Sequence, residues 1–292
     1  MRLGNAVLGG AIRLCVCRDD ETLVDVATAD AAAPAALAAV LADPDRALAV
    51  LRDVARRAPA AAIHPLAKVE LAAPLDRPGK IIGIGLNYRD HAAETGQEIP
   101  DFPTVFAKFS TSASGPGQPI QLPEASDKVD YEGELGVVIG RRVAAVDEAR
   151  ALDAVFGYVV VNDVSARDVQ NRTSQWTLGK SFDTFAPMGP FVVTADEITD
   201  PQTLDIRTRL NGREVQHSNT KHMIFGVAQL VSLLSHIMTL EPGDVIATGT
   251  PSGIGAAQNP PRFLTAGDVV EIEIDGLGVL SNPVAGPTRR AG

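Results

Sequence analysis

Between residues 130 and 139 the chain reads Asp130–Tyr131–Glu132–Gly133–Glu134 and then passes straight into the apolar run from Leu135 to Ile139. In an extended strand alternate residues share a face, so Asp130, Glu132 and Glu134 are expected to point the same way. Like charges that close destabilise a sheet unless positive charge lies among them. A solvated strand face would tolerate them, but Val137, Val138 and Ile139 suit a strand buried on both faces. A buried carboxylate cluster has to be protonated, paired or bound to a cation. The stretch therefore predicts a core β-strand with a metal site at one end.

The 292 residues suffice for one large domain with a small one attached. With 45% hydrophobic residues the composition is that of a packed globular chain. No uninterrupted apolar run reaches the roughly 18 residues that would suggest a membrane helix. The opening Met1–Arg2–Leu3–Gly4 lacks the basic region and apolar core of a signal peptide. Cys15 and Cys17 alternate in a predicted strand, which argues against a bridge between them, and two thiols make no disulfide framework. A cytoplasmic location without membrane association is expected. Net charge is −10 with no basic stripe, so nucleic acid is not an expected partner. An anionic substrate also gains no general steering from such a surface; the site itself must attract it.

Residues 1–72 read as a small N-terminal α+β domain. Gly10 to Cys17 and Thr22 to Thr28 are predicted strands, and Asp43–Pro44 supplies the N-cap and first position of a helix that Pro59 ends. The segment Ala72 to Gly79, with two prolines and a glycine, reads as a linker. A second domain, 78–288, is dominated by short predicted strands: Lys80–Ile84, Gly136–Gly140, Tyr158–Asn162, Phe191–Thr194, Ile206–Leu210, Val245–Thr248 and Val269–Ile274. Helices are predicted from Arg89 to about Thr95, from Val146 to Ala154, and near Ile224 to Met238. Strands and helices do not alternate regularly, which disfavours a parallel barrel or a doubly wound sheet. An α+β, mainly β fold with mixed sheets is expected.

Asp163 stands where the apolar strand ending at Asn162 stops. Such an acid often caps a turn, but with Glu132 and Glu134 it can complete a three-carboxylate site. All-oxygen ligation selects a hard cation, Mg2+ or Mn2+, over zinc. Downstream come Arg167 and Gln170 at i and i+3, then Lys180 among Trp176, Leu178, Phe182 and Phe185. That lysine either snorkels to the surface or donates to an enolate oxygen. His91 and Glu94 are neighbours on a helical turn, either as an exposed pair or as a base with its orienting carboxylate. The polar segment that continues to Pro103 has the character of a lid. Gly83–Ile84–Gly85–Leu86–Asn87–Tyr88 lacks the third glycine of a dinucleotide fingerprint. Gly249 to Gly255 is no phosphate loop; its amides and the Thr250 hydroxyl suit a carboxylate, and a plain turn serves equally well. His64, His217, His222 and His236 show no ligand spacing.

Together these segments, over about residues 78–287, resemble the fumarylacetoacetate hydrolase family. The motifs are Asn87–Tyr88 with His91 and Glu94; Glu132–Gly133–Glu134–Leu135; Asn162 to Asp168 with Gln170; Gly179–Lys180–Ser181; Pro242–Gly243–Asp244; and Thr248–Gly249–Thr250–Pro251. The resemblance implies a mixed β-roll, a homodimer, and Mg2+ or Mn2+ held by Glu132, Glu134 and Asp163. It also implies substrate contacts from Arg167, Gln170, Lys180 and Thr250, and a lid bearing His91 and Glu94. The first seventy residues match more weakly, as the small extra domain of some members would.

The combined reading predicts a metal-dependent hydrolase that cleaves a C–C bond in a 2,4-dioxo acid, an acylpyruvate or a diketo-deoxy sugar acid. Glu94 would orient His91 to activate water, and the metal with Lys180 would stabilise the pyruvate enolate that leaves. The alternative is a decarboxylase or isomerase of 2-oxo or 2-hydroxy-dienoic diacids, of the 2-hydroxyhepta-2,4-diene-1,7-dioate isomerase kind. A Schiff-base lyase using Lys180 and a non-catalytic binding protein are the rivals from other classes.

Overall fold

The computed structural model describes residues 1–287, so position 288, the expected end of the second domain, lies outside the described residues. The chain opens with a strand the sequence reading did not include. Arg2–Leu8 pairs along its whole length with Ala11–Cys17. Gly9 and Gly10 join them at φ 60° and 81°, the left-handed pair that a two-residue hairpin turn demands. The next strand is Thr22–Asp25, shorter than the expected Thr22 to Thr28. There Asp25 caps the short helix Val26–Ala29 by accepting from the Thr28 amide. The helix Pro44–Arg57 forms as expected, with Asp43 as its cap.

The first strand runs on into the rest of the molecule, because Arg2 and Leu3 pair with Val193 and Val192 of the strand Ala186–Thr194. Beyond it the large sheet continues through Val155–Asn162, Gly133–Ile139, Val245–Ala247 and Ile81–Gly85 to an edge strand, Thr104–Lys108. Sheet and core therefore pass through the change of composition at 72–78. On one face Val138, Val159 and Val161 pack with Leu41, Leu51 and Val54 of the N-terminal helices. The other face carries Leu135, Val137 and Val160, which pack with Leu230 and Leu234 of the helix Val227–Ile237 and with Ile206 and Ile272 of a second sheet. That sheet contains Arg213–Asn219, Asp205–Leu210, Val269–Ile274, Gly278–Ala285 and Ile120–Gln121.

Cover on both sides explains why Gly133–Ile139 and Val155–Asn162 are buried at every residue and read as unbroken apolar runs. The architecture is mixed and mainly β, as expected. Among the described residues no helix is long and apolar enough to cross a membrane.

Candidate active site

Strand register builds the acidic centre. Gly133 faces Asn162 at the end of the antiparallel pair. One step further out, the Asp163 amide donates to the Glu132 carbonyl at 2.9 Å. Glu134 lies in this strand and Glu132 directly before it, and both side chains turn into the same centre. Carboxylate oxygens of Glu132, Glu134 and Asp163 lie within 4.8 Å of one another, and all three residues are buried.

Asp130 does not join them, contrary to the expected alternation. Val129–Asp130 pairs with Ser165–Ala166, and the extended run is interrupted at Tyr131 and Glu132. Its carboxylate accepts instead from Arg167 Nε at 2.9 Å and from the Gly255 and Ala256 amides at 2.8 and 3.0 Å.

Three cations enter this cluster. Arg167 Nη2 lies 2.8 Å from Asp130 and 2.7 Å from Glu132. Lys180 Nζ bridges Glu132 Oε2 at 2.6 Å and Asp163 Oδ2 at 2.7 Å. Lys108 Nζ donates to Asp163 Oδ1 at 2.5 Å and to the Val164 carbonyl at 3.1 Å. Burial opposes ionisation of Glu132, yet Arg167 and Lys180 outweigh it and hold that carboxyl below the usual range. Lys180 shows the mirror image: burial disfavours its charge, but Asp163 and Glu132 keep it raised.

Glu134 has no such partner. Among the described residues it makes no ion pair, and its one hydrogen bond is from the Gly249 amide at 2.8 Å. Burial, reinforced by Asp163 and Glu132, pushes its carboxyl well above the ordinary range. Gly249 is held at φ 99°, where an added Cβ would come within 2.7 Å of Asn87 Cβ, so glycine alone brings this amide to Glu134. Asn87 fixes the spot by donating to the Phe225 and Thr248 carbonyls and accepting from the Phe225 amide. A close set of hard oxygen donors, one of them short of positive charge, fits a divalent cation.

His91 and Glu94 stand on the helix Arg89–Thr95, which Gly96 ends in a left-handed conformation. His91 is buried, its Nδ1 3.1 Å from Glu94 Oε2. The other Glu94 oxygen accepts from the Gly253 amide at 2.8 Å. Glu94 is therefore clamped and tethers the helix to the loop after Thr250. A cavity of about 220 Å³ brings together His91, Glu132, Glu134, Arg167, Lys180 and Thr250, with Gln170 also on its wall. Asp163 lies just behind, held by both lysines.

Gln170 accepts from Arg167 Nη1 at 3.1 Å and so orients the guanidinium. Thr250 Oγ1 donates to the Gly133 carbonyl at 3.0 Å and accepts from Gln216 at 2.9 Å. That hydroxyl proton is directed into the protein, away from the donation to a substrate carboxylate that the sequence reading expected.

The surroundings of Lys180 also differ from expectation. Leu178 is 70% exposed, whereas Lys180 Nζ sits 4.7 Å from the centroid of the Phe106 ring. Phe106 and Lys108 both come from the edge strand Thr104–Lys108, which the sequence reading did not include. Val105–Phe106–Ala107 after Pro103 was the available strand signal; nothing in it marked Lys108 as a buried cation.

Fold and cavity together define a class of sheet-built proteins that carry a buried carboxylate cluster, suited to a hard cation, beside a small pocket. Residues 80–285 match the family described as fumarylacetoacetate (FAA) hydrolase, C-terminal. The chain belongs to the fumarylacetoacetate hydrolase family, whose members are enzymes: hydrolases, isomerases and tautomerases. It is 51% identical to a mitochondrial oxaloacetate tautomerase of Xenopus laevis, over 74% of this chain and 68% of the relative. Among solved structures it resembles a 5-carboxymethyl-2-hydroxymuconate delta-isomerase from Mycobacterium smegmatis, with 36% identity, TM-score 0.78, and coverage of 99% and 100% of the two chains. It also resembles a maleylpyruvate hydrolase from Sphingobium sp. SYK-6, solved with manganese(II) and pyruvate, with 31% identity, TM-score 0.83, and 99% and 100% coverage.

Proposed function

We propose that this protein is a Mg2+- or Mn2+-dependent enzyme of small 2-oxo acids that works through the enolate, and that its reaction is keto–enol isomerisation of an oxaloacetate-like acid. The observation that carries this is His91, set on the wall that also holds Glu132 and Glu134 and backed by a clamped Glu94. The 51% identity to an oxaloacetate tautomerase supports the choice of reaction. A divalent ion held by Glu132, Glu134 and Asp163 supplies Lewis acidity toward the 2-oxo carbonyl when bound.

The chain's own groups do the rest. His91 donates through Nδ1 to Glu94, which leaves Nε2 as the acceptor for a proton from C3. As that C–H bond breaks, its electron pair moves toward the 2-oxo oxygen; the proton returns either to that oxygen or to C3. Lys180 and Arg167, fixed by Glu132, Asp163 and Asp130, hold positive charge beside the negative charge that develops. A cavity near 220 Å³ lies below the usual range for drug-sized ligands, in keeping with a small acid.

The second reading is hydrolysis of a C–C bond in a 2,4-dioxo acid, with His91 acting on water. It is favoured by the same pair and by the maleylpyruvate hydrolase likeness. Product analysis separates the two. Faster decay of the oxaloacetate enol signal, with no acyl acid released from a 2,4-dioxo acid panel, supports isomerisation; release of pyruvate plus a carboxylic acid supports the hydrolase. Under either reading His91→Gln is expected to lower turnover by about a hundredfold, and an unchanged rate would remove His91 from the chemistry.

The protein acts as a homodimer in this proposal. Ile99, Phe102, Val105 and Phe109, all exposed, flank or belong to the edge strand Thr104–Lys108, the last in the order of the large sheet, and such an edge needs cover. Light scattering should give twice the chain mass, and Val105→Lys should return the monomer mass; a monomeric parent refutes the assignment.

A further inference from the structure

Two glycines of the strand Ile81–Gly85 are shaped around aromatic rings. Gly83 pairs with Phe106 across the edge of the sheet, and a Cβ added there would lie 2.2 Å from the Phe106 ring. A Cβ on Gly85 would lie 2.3 Å from Trp176 Cζ3. The two rings meet at a tilt, with centroids 5.7 Å apart and planes inclined by 56°, within the distance at which aromatic pairs attract. Phe106 is buried, Trp176 is half-buried, and both line the cavity. Lys180 Nζ lies over Phe106, so the apolar wall begins at the charged head of the site and extends from there past Trp176. The cations beside it are committed: Arg167 to Asp130 and Glu132, Lys180 to Glu132 and Asp163.

We infer that Phe106 and Trp176, seated on Gly83 and Gly85, are the specificity wall that limits the length of the 2-oxo acid beyond its chelating head. This rests on the 2-oxo acid reading above. The wall is apolar, so it acts on size: compact acids fit, and each further methylene is pressed against a ring that has backbone directly behind it. Trp176 is the one tryptophan of the chain, so its fluorescence reports contact directly.

The test is calorimetric binding of pyruvate, 2-oxobutyrate, 2-oxohexanoate and 2-oxooctanoate in the presence of Mg2+, with tryptophan fluorescence followed in parallel. The parent should lose affinity by at least about tenfold from the shortest to the longest acid and should change its fluorescence on binding. Trp176→Ala removes the ring and should flatten that dependence. Gly85→Ala pushes the ring into the cavity and should steepen it, so the two variants move in opposite directions and neither depends on the other folding. A length profile unchanged in both variants, with the parent binding short acids, overturns the wall. A parent that binds no 2-oxo acid with Mg2+ overturns the functional reading and the wall with it.

Discussion

Glu134→Gln is expected to weaken divalent-cation binding by more than about a hundredfold, the upper cost of losing only a supporting group around a metal. The metal-free protein should at the same time be as stable as the parent or gain on the order of 1 kcal/mol. Both signs follow from one asymmetry. Glu132 and Asp163 each have cationic partners within 2.7 Å, but among the described residues Glu134 has only the Gly249 amide. Its ionised form is disfavoured by burial and by its two acidic neighbours. A glutamine keeps an oxygen for that amide and removes the uncompensated charge, while a bound cation loses a ligand. Titration with Mn2+ followed by electron paramagnetic resonance, beside denaturant unfolding in chelator, measures the two effects. A variant that binds Mn2+ like the parent, or unfolds more easily without metal, would contradict the charge arrangement described here.

Lys108→Met should act in the opposite direction. Lys108 has no solvent-exposed side-chain surface and is held on Asp163 and the Val164 carbonyl. Burial lowers its own pKa despite the attraction of Asp163, which shows how much the surroundings resist an isolated charge. Removing one member of a buried pair typically costs 3–5 kcal/mol because the other charge is stranded. Asp163 keeps Lys180, so a loss of about 3 kcal/mol is expected. The loss should shrink when Mg2+ is saturating, because the cation then compensates Asp163. Unfolding curves with and without Mg2+ decide this; equal losses in both would mean that Lys108 contributes packing alone.

The acidic centre was legible in part from the sequence. Glu132 and Glu134 are two residues apart beside an apolar run, and Asp163 ends another such run, so their chemistry and the burial of their strands were both visible. Local rules also delivered the helices Arg89–Thr95 and Pro44–Arg57, where capping and spacing act within a few residues. Asp130 was misread because period-two alternation assumes an unbroken strand, and the backbone leaves the strand at Tyr131. Lys108 was missed because a lysine in sequence looks like a surface charge until its partner, fifty-five positions away, is known. The strand Arg2–Leu8 was missed although the Gly9–Gly10 turn announced it.

What the sequence determined by itself was most of the inventory: the three carboxylates, Arg167 and Lys180 but not Lys108, the histidine pair, and a mainly β chain to carry them. Tertiary structure decided who meets whom. The pairing of Gly133 with Asn162 brings Asp163 to Glu132, two lysines from separate elements divide Asp163 between them, and Glu134 receives the Gly249 amide instead of a cation among the described residues. Those outcomes depend on strand register and burial, which arise from contacts between residues far apart in the chain. The energy of a charge is set by the neighbours and solvent that folding leaves around it, and a linear pattern does not contain them.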